Sequence, residues 1–298
     1  MNPSSSTSNN PHPTGGARLV RTKDELRSAL VPLRAEGRSI GLVPTMGFLH
    51  EGHLSLLRAA REECDVVVMS LFVNPAQFGP NEDLDRYPRD EARDARLAAE
   101  AGVDLVYAPA VAEVYPEDFE TSVVVDGLTE VLDGDPAQRG PEHFRGVTTV
   151  VAKLLNTVQP DVAYFGQKDA QQLAVIRRMV RDLDIPVQVK GLPTVREGDG
   201  LAMSSRNAYL GSEDRERALA LSRALRAAES RAREESLEAG LEAARAELAA
   251  AGVEPEYLEA RDPDDLSKVA ELNGRPVLLA VAARVGGARL IDNVLIQP

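Results

Sequence analysis

A chain of 298 residues with 43% hydrophobic side chains can bury one large core or two medium ones. Its 34 Lys and Arg against 47 Asp and Glu give a formal charge of -13, which repels a polyanion at long range and excludes broad nucleic-acid binding, while a cleft can still hold a small anion. The single cysteine, Cys64, excludes an intrachain disulfide framework and a CxxC-type zinc site, and fits a reducing, cytoplasmic setting.

Residues 1–16, rich in Ser, Asn, Pro and Gly, carry neither an apolar segment nor a basic n-region and read as a disordered tail. From 17 to 193, short Val/Ile/Leu-rich runs alternate with Ala/Arg/Glu-rich stretches, the pattern of strand and helix units around a parallel sheet. Strands are predicted at Ser39–Pro44, Asp65–Val73, Asp104–Tyr107, Ser122–Val125, Val162–Phe165 and Val187–Lys190. Helices are predicted at Lys23–Ala35, Gly52–Glu63, Pro88–Ala101, Val147–Val158 and Ala170–Asp182. Together they predict an α/β fold, a Rossmann-like doubly wound parallel sheet. Cys64 borders the apolar run Val66–Val73, where a buried thiol is expected rather than a nucleophile.

Residues 194–298 change character and predict a second, smaller α+β domain. Ser212–Ala251 reads as two amphipathic helices, with Leu221, Ala224, Leu225 and Ala228 on one face and Leu237, Leu241, Ala244 and Leu248 on another. A coiled-coil arm is the alternative, but clean heptads are lacking and Gly240 interrupts the stripe. Strands at Glu256–Ala260, Val277–Arg284 and Ala288–Ile296 would supply a small sheet under these helices, with Gly286-Gly287 as a hairpin turn. The longest apolar runs fall short of the ~20 residues a membrane-spanning helix needs, and Lys153 or Arg284 interrupts them, so no membrane partner is expected.

Four segments place polar or charged groups directly after apolar strands, where ligands sit in open α/β sheets. In PTMGFLHEGH, Met46 and Gly47 end a strand, His50 and His53 lie one turn apart at a helix start, and Gly52 lets a ligand approach the backbone. Imidazole N–H groups and free amides there suit an anion such as a nucleotide phosphate, with metal binding and simple capping as the other readings. In FVNPAQF, the amides of Asn74 and Gln77 suit hydroxyl and carboxylate groups, although Asn-Pro is also ordinary turn chemistry. In FGQKDAQQ, Gly166 precedes Lys168, a point charge for phosphate, and Asp169, an acceptor for a ribose hydroxyl, with Gln172 one turn further. In the glycine-flanked LAMSSRN, Ser204, Ser205 and Arg206 could close over a triphosphate.

A histidine pair at a helix start with a downstream MSSRN loop resembles the HIGH and KMSKS signatures of class I aminoacyl-tRNA synthetases and related nucleotidyltransferases. Within that superfamily, PTMGFLHEGH, FVNPAQF, FGQKDAQQ, TVRE and LAMSSRN in this order, from about Arg18 to Asn293, resemble the pantothenate synthetase (pantoate–β-alanine ligase) family. The resemblance implies condensation of pantoate with β-alanine, using ATP and Mg²⁺, through an enzyme-bound pantoyl adenylate. It implies that His50 and His53 contact phosphates, with His53 the proton donor, and that Lys168, Ser204, Ser205 and Arg206 neutralise the growing charge. Gly166 and Asp169 would hold the ribose, Met46, Gly47, Gly52, Val195 and Met203 would complete the ATP site, and Gln77 and Gln172 would grip pantoate with support from Asn74. Mg²⁺ would ride on the ATP phosphates, without an assigned protein ligand. Asp83, Asp85 and Asp90 are candidates to lie near it, although a solvated acidic loop accounts for them better, and His143 is read as structural. The resemblance also implies a homodimer. A nucleotidyltransferase that leaves its nucleotide in the product, and a nucleotide sensor on a decayed synthetase fold, are the competing readings; a tRNA synthetase is disfavoured by the acidic charge.

Overall fold

The computed structural model describes residues 16–80 and 82–297, so the expected tail lies, apart from Gly16, outside the described residues. Strands β1 (Arg18–Val20), β2 (Ile40–Thr45), β3 (Val66–Leu71), β4 (Leu105–Tyr107), β5 (Val162–Gly166) and β6 (Gln188–Leu192) form a parallel sheet in the order β1-β4-β3-β2-β5-β6. The apolar runs at its centre are continuous because both faces are covered. Leu42, Val66 and Val68 pack on one face with Leu26, Phe144, Leu155 and Ile176, whereas Val43, Val67 and Met69 pack on the other with Leu57, Ala60 and Ala98.

The first face is covered by helices α1 (Lys23–Ala35), α5 (Pro141–Val158) and α6 (Ala170–Asp182), the second by α2 (Glu51–Glu63) and α3 (Glu91–Glu100), and a short α4 (Val111–Val114) follows β4. Helix α5 begins six residues before the expected Val147. Gly140-Pro141 looks like a breaker in sequence, but proline fits the first turn, where no N–H is needed, and Gly140 supplies φ 82°.

The predicted strand at Ser122–Val125 does not form. Its backbone bonds to side chains instead: the Val123 N–H donates to Thr149 Oγ1 (3.0 Å), and the Val123 carbonyl accepts from Thr148 Oγ1 (2.6 Å). The alternating valines are real, with Val125 buried and Val124 exposed, but the segment crosses α5 rather than joining a sheet.

Strands β7 (Pro255–Arg261), β8 (Val277–Val285) and β9 (Ala288–Ile296) form the antiparallel second sheet, and Val285 pairs with Ala288 across the Gly286-Gly287 turn. Helices α7 (Ser212–Glu234) and α8 (Leu237–Ala250) double back on each other over one face of it. No coiled-coil arm forms among the described residues, because Gly240 lets the two helices close up: a Cβ there would stand 2.6 Å from the Ala228 carbonyl oxygen. The other face turns Leu278 and Ala280 into the core of the first sheet, so an apolar seam joins the two sheets. No described helix is long and apolar enough to cross a membrane.

Candidate active site

The chain runs from β2 outward to β3 and from β5 outward to β6, so the sheet order reverses between β2 and β5, where a crevice opens at the strands' carboxyl ends. The turn after β2 is strained, with φ 86° at Gly47 and 51° at Phe48. Buried Asp94 on α3 holds it by accepting from the Phe48 and Leu49 N–H groups at 2.7 and 2.8 Å. Gly47 is not among the residues that line the cleft, and the turn has no room for a side chain there, since a Cβ would meet Leu71 Cδ1 at 2.6 Å.

His50 caps α2, and its ring centroid lies 4.0 Å from that of His53. His53 Nδ1 accepts from the His50 N–H (3.3 Å), which leaves its ring proton on Nε2. The buried His50 Nδ1 has no hydrogen-bond partner among the described residues. Burial, then the Lys168 charge, lowers His50 to about 4; burial, then His50 and Lys168, lowers His53 to about 3. At pH 7 both are neutral, so they offer N–H groups rather than positive charge. Gly52, which lines the cavity, leaves room for the His50 ring, whose Cε1 would stand 2.9 Å from an added Cβ.

Lys168 sits in the turn Gln167–Asp169 after β5, with Nζ 3.7 Å from Asp169 Oδ1. Across the crevice, Met203 N–H donates to the Val195 carbonyl (3.0 Å), and Ser205 Oγ donates to the Phe48 carbonyl (3.3 Å), which ties the MSSRN loop to the histidine turn. Arg206 grips Asp83 through Nε (3.0 Å) and Nη2 (2.9 Å), with its guanidinium 5.6 Å from the centre of the Tyr87 ring. The acidic loop is therefore not uniformly solvated: Asp85 and Asp90 are exposed, and Asp90 caps α3, but the half-buried Asp83 clasps Arg206. Burial pushes the Asp83 carboxyl up, but Arg206 outweighs it and the net shift is downward.

On the other flank, Gln77 Nε2 donates to Met46 Sδ (3.0 Å), while Gln172 makes no side-chain hydrogen bond among the described residues. Every polar group of the Asn74 amide has a protein partner: Gln77 Oε1, the Gly146 carbonyl, the Ala76 N–H and Tyr115 Oη. Asn74 thus shapes the turn that presents Gln77. His143 Nε2 accepts from Arg139 (3.0 Å), and its Nδ1–H donates to the Gln77 carbonyl (2.8 Å). Apart from Gly47, all the residues proposed from sequence to bind ATP or pantoate line one cavity of about 350 Å³; of the acidic candidates Asp83 lines it, and Asp85 and Asp90 do not.

The sequence model of the pantoate-beta-alanine ligase family matches residues 18–295. The chain is 56% identical to the pantothenate synthetase of Moorella thermoacetica, over 94% of this chain and 98% of that one. A pantothenate synthetase structure from Thermus thermophilus superposes with a TM-score of 0.89 at 50% identity, covering 94% of this chain and 100% of the other. A pantoate-beta-alanine ligase from Francisella tularensis, complexed with beta-gamma ATP and beta-alanine, superposes with a TM-score of 0.77 at 33% identity, covering 94% and 98%. The chain belongs to the pantoate–β-alanine ligase family.

Sequence reasoning passed over three groups in the cavity of this ligase. Arg139 carries Glu82 (2.6 Å) as well as His143. Asp133, on the first-sheet side, pairs with Arg289 of β9 (2.9 Å) and accepts from Tyr257 of β7 (2.7 Å), so a buried polar joint accompanies the apolar seam. Asp292 and Asn293 stand in the middle of β9, and a consecutive polar pair in the otherwise apolar run LIDNVLI was the available signal.

Proposed function

We propose that this ligase condenses pantoate with β-alanine to give pantothenate, with ATP cleaved to AMP and pyrophosphate. In the first step a pantoate carboxylate oxygen bonds to the α-phosphorus while the bond to pyrophosphate breaks. In the second, the neutral amine of β-alanine bonds to the acyl carbon, the carbon–oxygen bond to AMP breaks, and the nitrogen sheds a proton. Positioning and charge stabilisation carry the first step, so no covalent enzyme intermediate is required.

The observation that carries this reading is the meeting, in one cavity, of a phosphate-suited set with two amide side chains beside it. His50 and His53 donate N–H hydrogen bonds to the phosphates, and the neutral His53 acts here as a donor rather than an acid. Lys168 supplies fixed charge, Ser204 and Ser205 supply hydroxyls, and Arg206 joins them by exchanging Asp83 for phosphate. Gly166, Asp169, Met46, Val195 and Met203 bound the nucleoside, whereas Gln77 and Gln172 hold the hydroxyls and carboxylate of pantoate. Mg²⁺ would be carried on ATP oxygens and water, with no protein ligand assigned to it. The ion would neutralise phosphate charge there. We assign the chain a cytoplasmic homodimer, to be checked by sedimentation, with a domain boundary near 193.

The deciding assay mixes ATP with pantoate, β-alanine or both. AMP, pyrophosphate and pantothenate should form together only when both are present, and pantoate alone should support ATP–pyrophosphate exchange. Nucleotide retained in a stable product would make the protein a nucleotidyltransferase instead.

A further inference from the structure

We propose that Asp292 and Asn293 are positioning residues that set the spacing between the two phosphate-facing loops of the site. Neighbouring residues in a strand point to opposite faces, so one dipeptide in β9 reaches both loops. Asn293 is 9% exposed, and its Nδ2 donates to the carbonyls of Gln167 (2.9 Å) and Lys168 (2.8 Å). Both N–H bonds of that amide therefore end on the turn that carries Lys168. Asp292, 3% exposed, holds Arg196 in a two-pronged pair, Oδ2 to Nη1 at 2.7 Å and Oδ1 to Nη2 at 2.9 Å. Arg196 also donates to the Gly200 carbonyl (3.2 Å) and pairs as a bridge with Ala202, so it closes the base of the hairpin from which Met203–Arg206 emerges.

Lys168 belongs to the first sheet and the MSSRN loop to the connection after it, and neither bonds to the other. Their common support is β9 of the second sheet. Lysine carries a compact point charge on a flexible stem, and the backbone that bears the stem sets the region this charge can reach. Displacement by about 1 Å can cost two orders of magnitude in rate. The carbonyls of Gln167 and Lys168 are thus held by a side chain that belongs to the second sheet.

This inference rests on the phosphate role given to Lys168 above, and the test separates the two. Asn293→Asp keeps the side chain's shape but turns two donors into an oxygen facing two carbonyl oxygens. ATP binding by calorimetry should weaken at least tenfold, and pantoate-dependent ATP–pyrophosphate exchange should slow at least tenfold, while the KM for pantoate stays within twofold. A variant that only loosens the fold would melt earlier yet bind ATP normally once folded, and that result overturns the inference. Asn293→Ala, which removes the donors without adding charge, carries the same readings if the aspartate variant does not accumulate. With Lys168→Ala run alongside, lost ATP affinity there and none at Asn293 refutes the positioning role alone; unchanged affinity in both refutes the site reading with it.

Discussion

His50 and His53 share one alcove only because residue 52 has no side chain. Gly52→Ala should therefore turn the His50 ring away from the phosphate site and cut turnover at least tenfold, although alanine favours a helix over glycine by about 1 kcal/mol. Steady-state rates and thermal melts on the same sample check this, and wild-type turnover would mean that the ring's position is immaterial. His53→Ala and Lys168→Ala should each slow adenylate formation about 10²- to 10³-fold, as lost preorganised donors do, with little change in melting temperature. At this scale the histidine pair, Lys168 and the MSSRN loop were legible because each is a polar interruption next to an apolar run or between glycines. Arg206's partner was not, because Asp83 is remote in the chain and ion pairing leaves no periodic trace. The role of Gly52 was half legible: the need for a small residue was evident, and the ring that imposes it was not.

Elements reach one another here through close backbone contacts. Gly146 in α5 faces the turn Pro75–Gln77, and a Cβ would lie 2.2 Å from the Ala76 carbonyl oxygen. Gly146→Ala should push that turn away and carry Gln77 with it, raising the KM for pantoate more than that for ATP, at a stability cost of about 1–3 kcal/mol from overpacking. A variant that melts early with both KM values unchanged would mean that the turn does not set the acid pocket. Most strands and helices could be read from period and punctuation, since the central strands are covered on both faces and the helices end at polar turns. The failures have two causes. At Ser122–Val125 a correct alternation met a helix rather than a strand edge, because two threonines of α5 had already taken its backbone groups. In β1 and α4, three or four residues are too few for a period to register.

The whole molecule carries a defined acid sensitivity. His50, His53 and His143 are held neutral, at about 4, 3 and 4, against about 6.5 in an unfolded chain. The unfolded state thus takes up more protons below that value, so the stability these groups confer is complete above pH 6.5 and drains away as pH falls toward 4 and then 3. For the well-buried His143 the slope is at most about 1.4 kcal/mol per pH unit. The paired carboxylates Glu82, Asp83 and Asp133, all lowered, add to the loss only below about pH 4. Urea midpoints should be level from pH 7 to 8 and fall below 6.5, and His143→Gln should flatten that fall; a fall equally steep in the variant would place the protons elsewhere.

The lone thiol gives this chain a practical property. Cys64 is 5% exposed beneath Tyr164 Oη (3.4 Å), and burial pushes its ionisation up, so alkylating reagents should leave the native protein unmarked and react once, after denaturation. Any cysteine introduced on the surface would then be the sole addressable handle. A pair of them, one on α1 and one on α8, would report by spectroscopic ruler whether the distance between the two sheets changes during turnover.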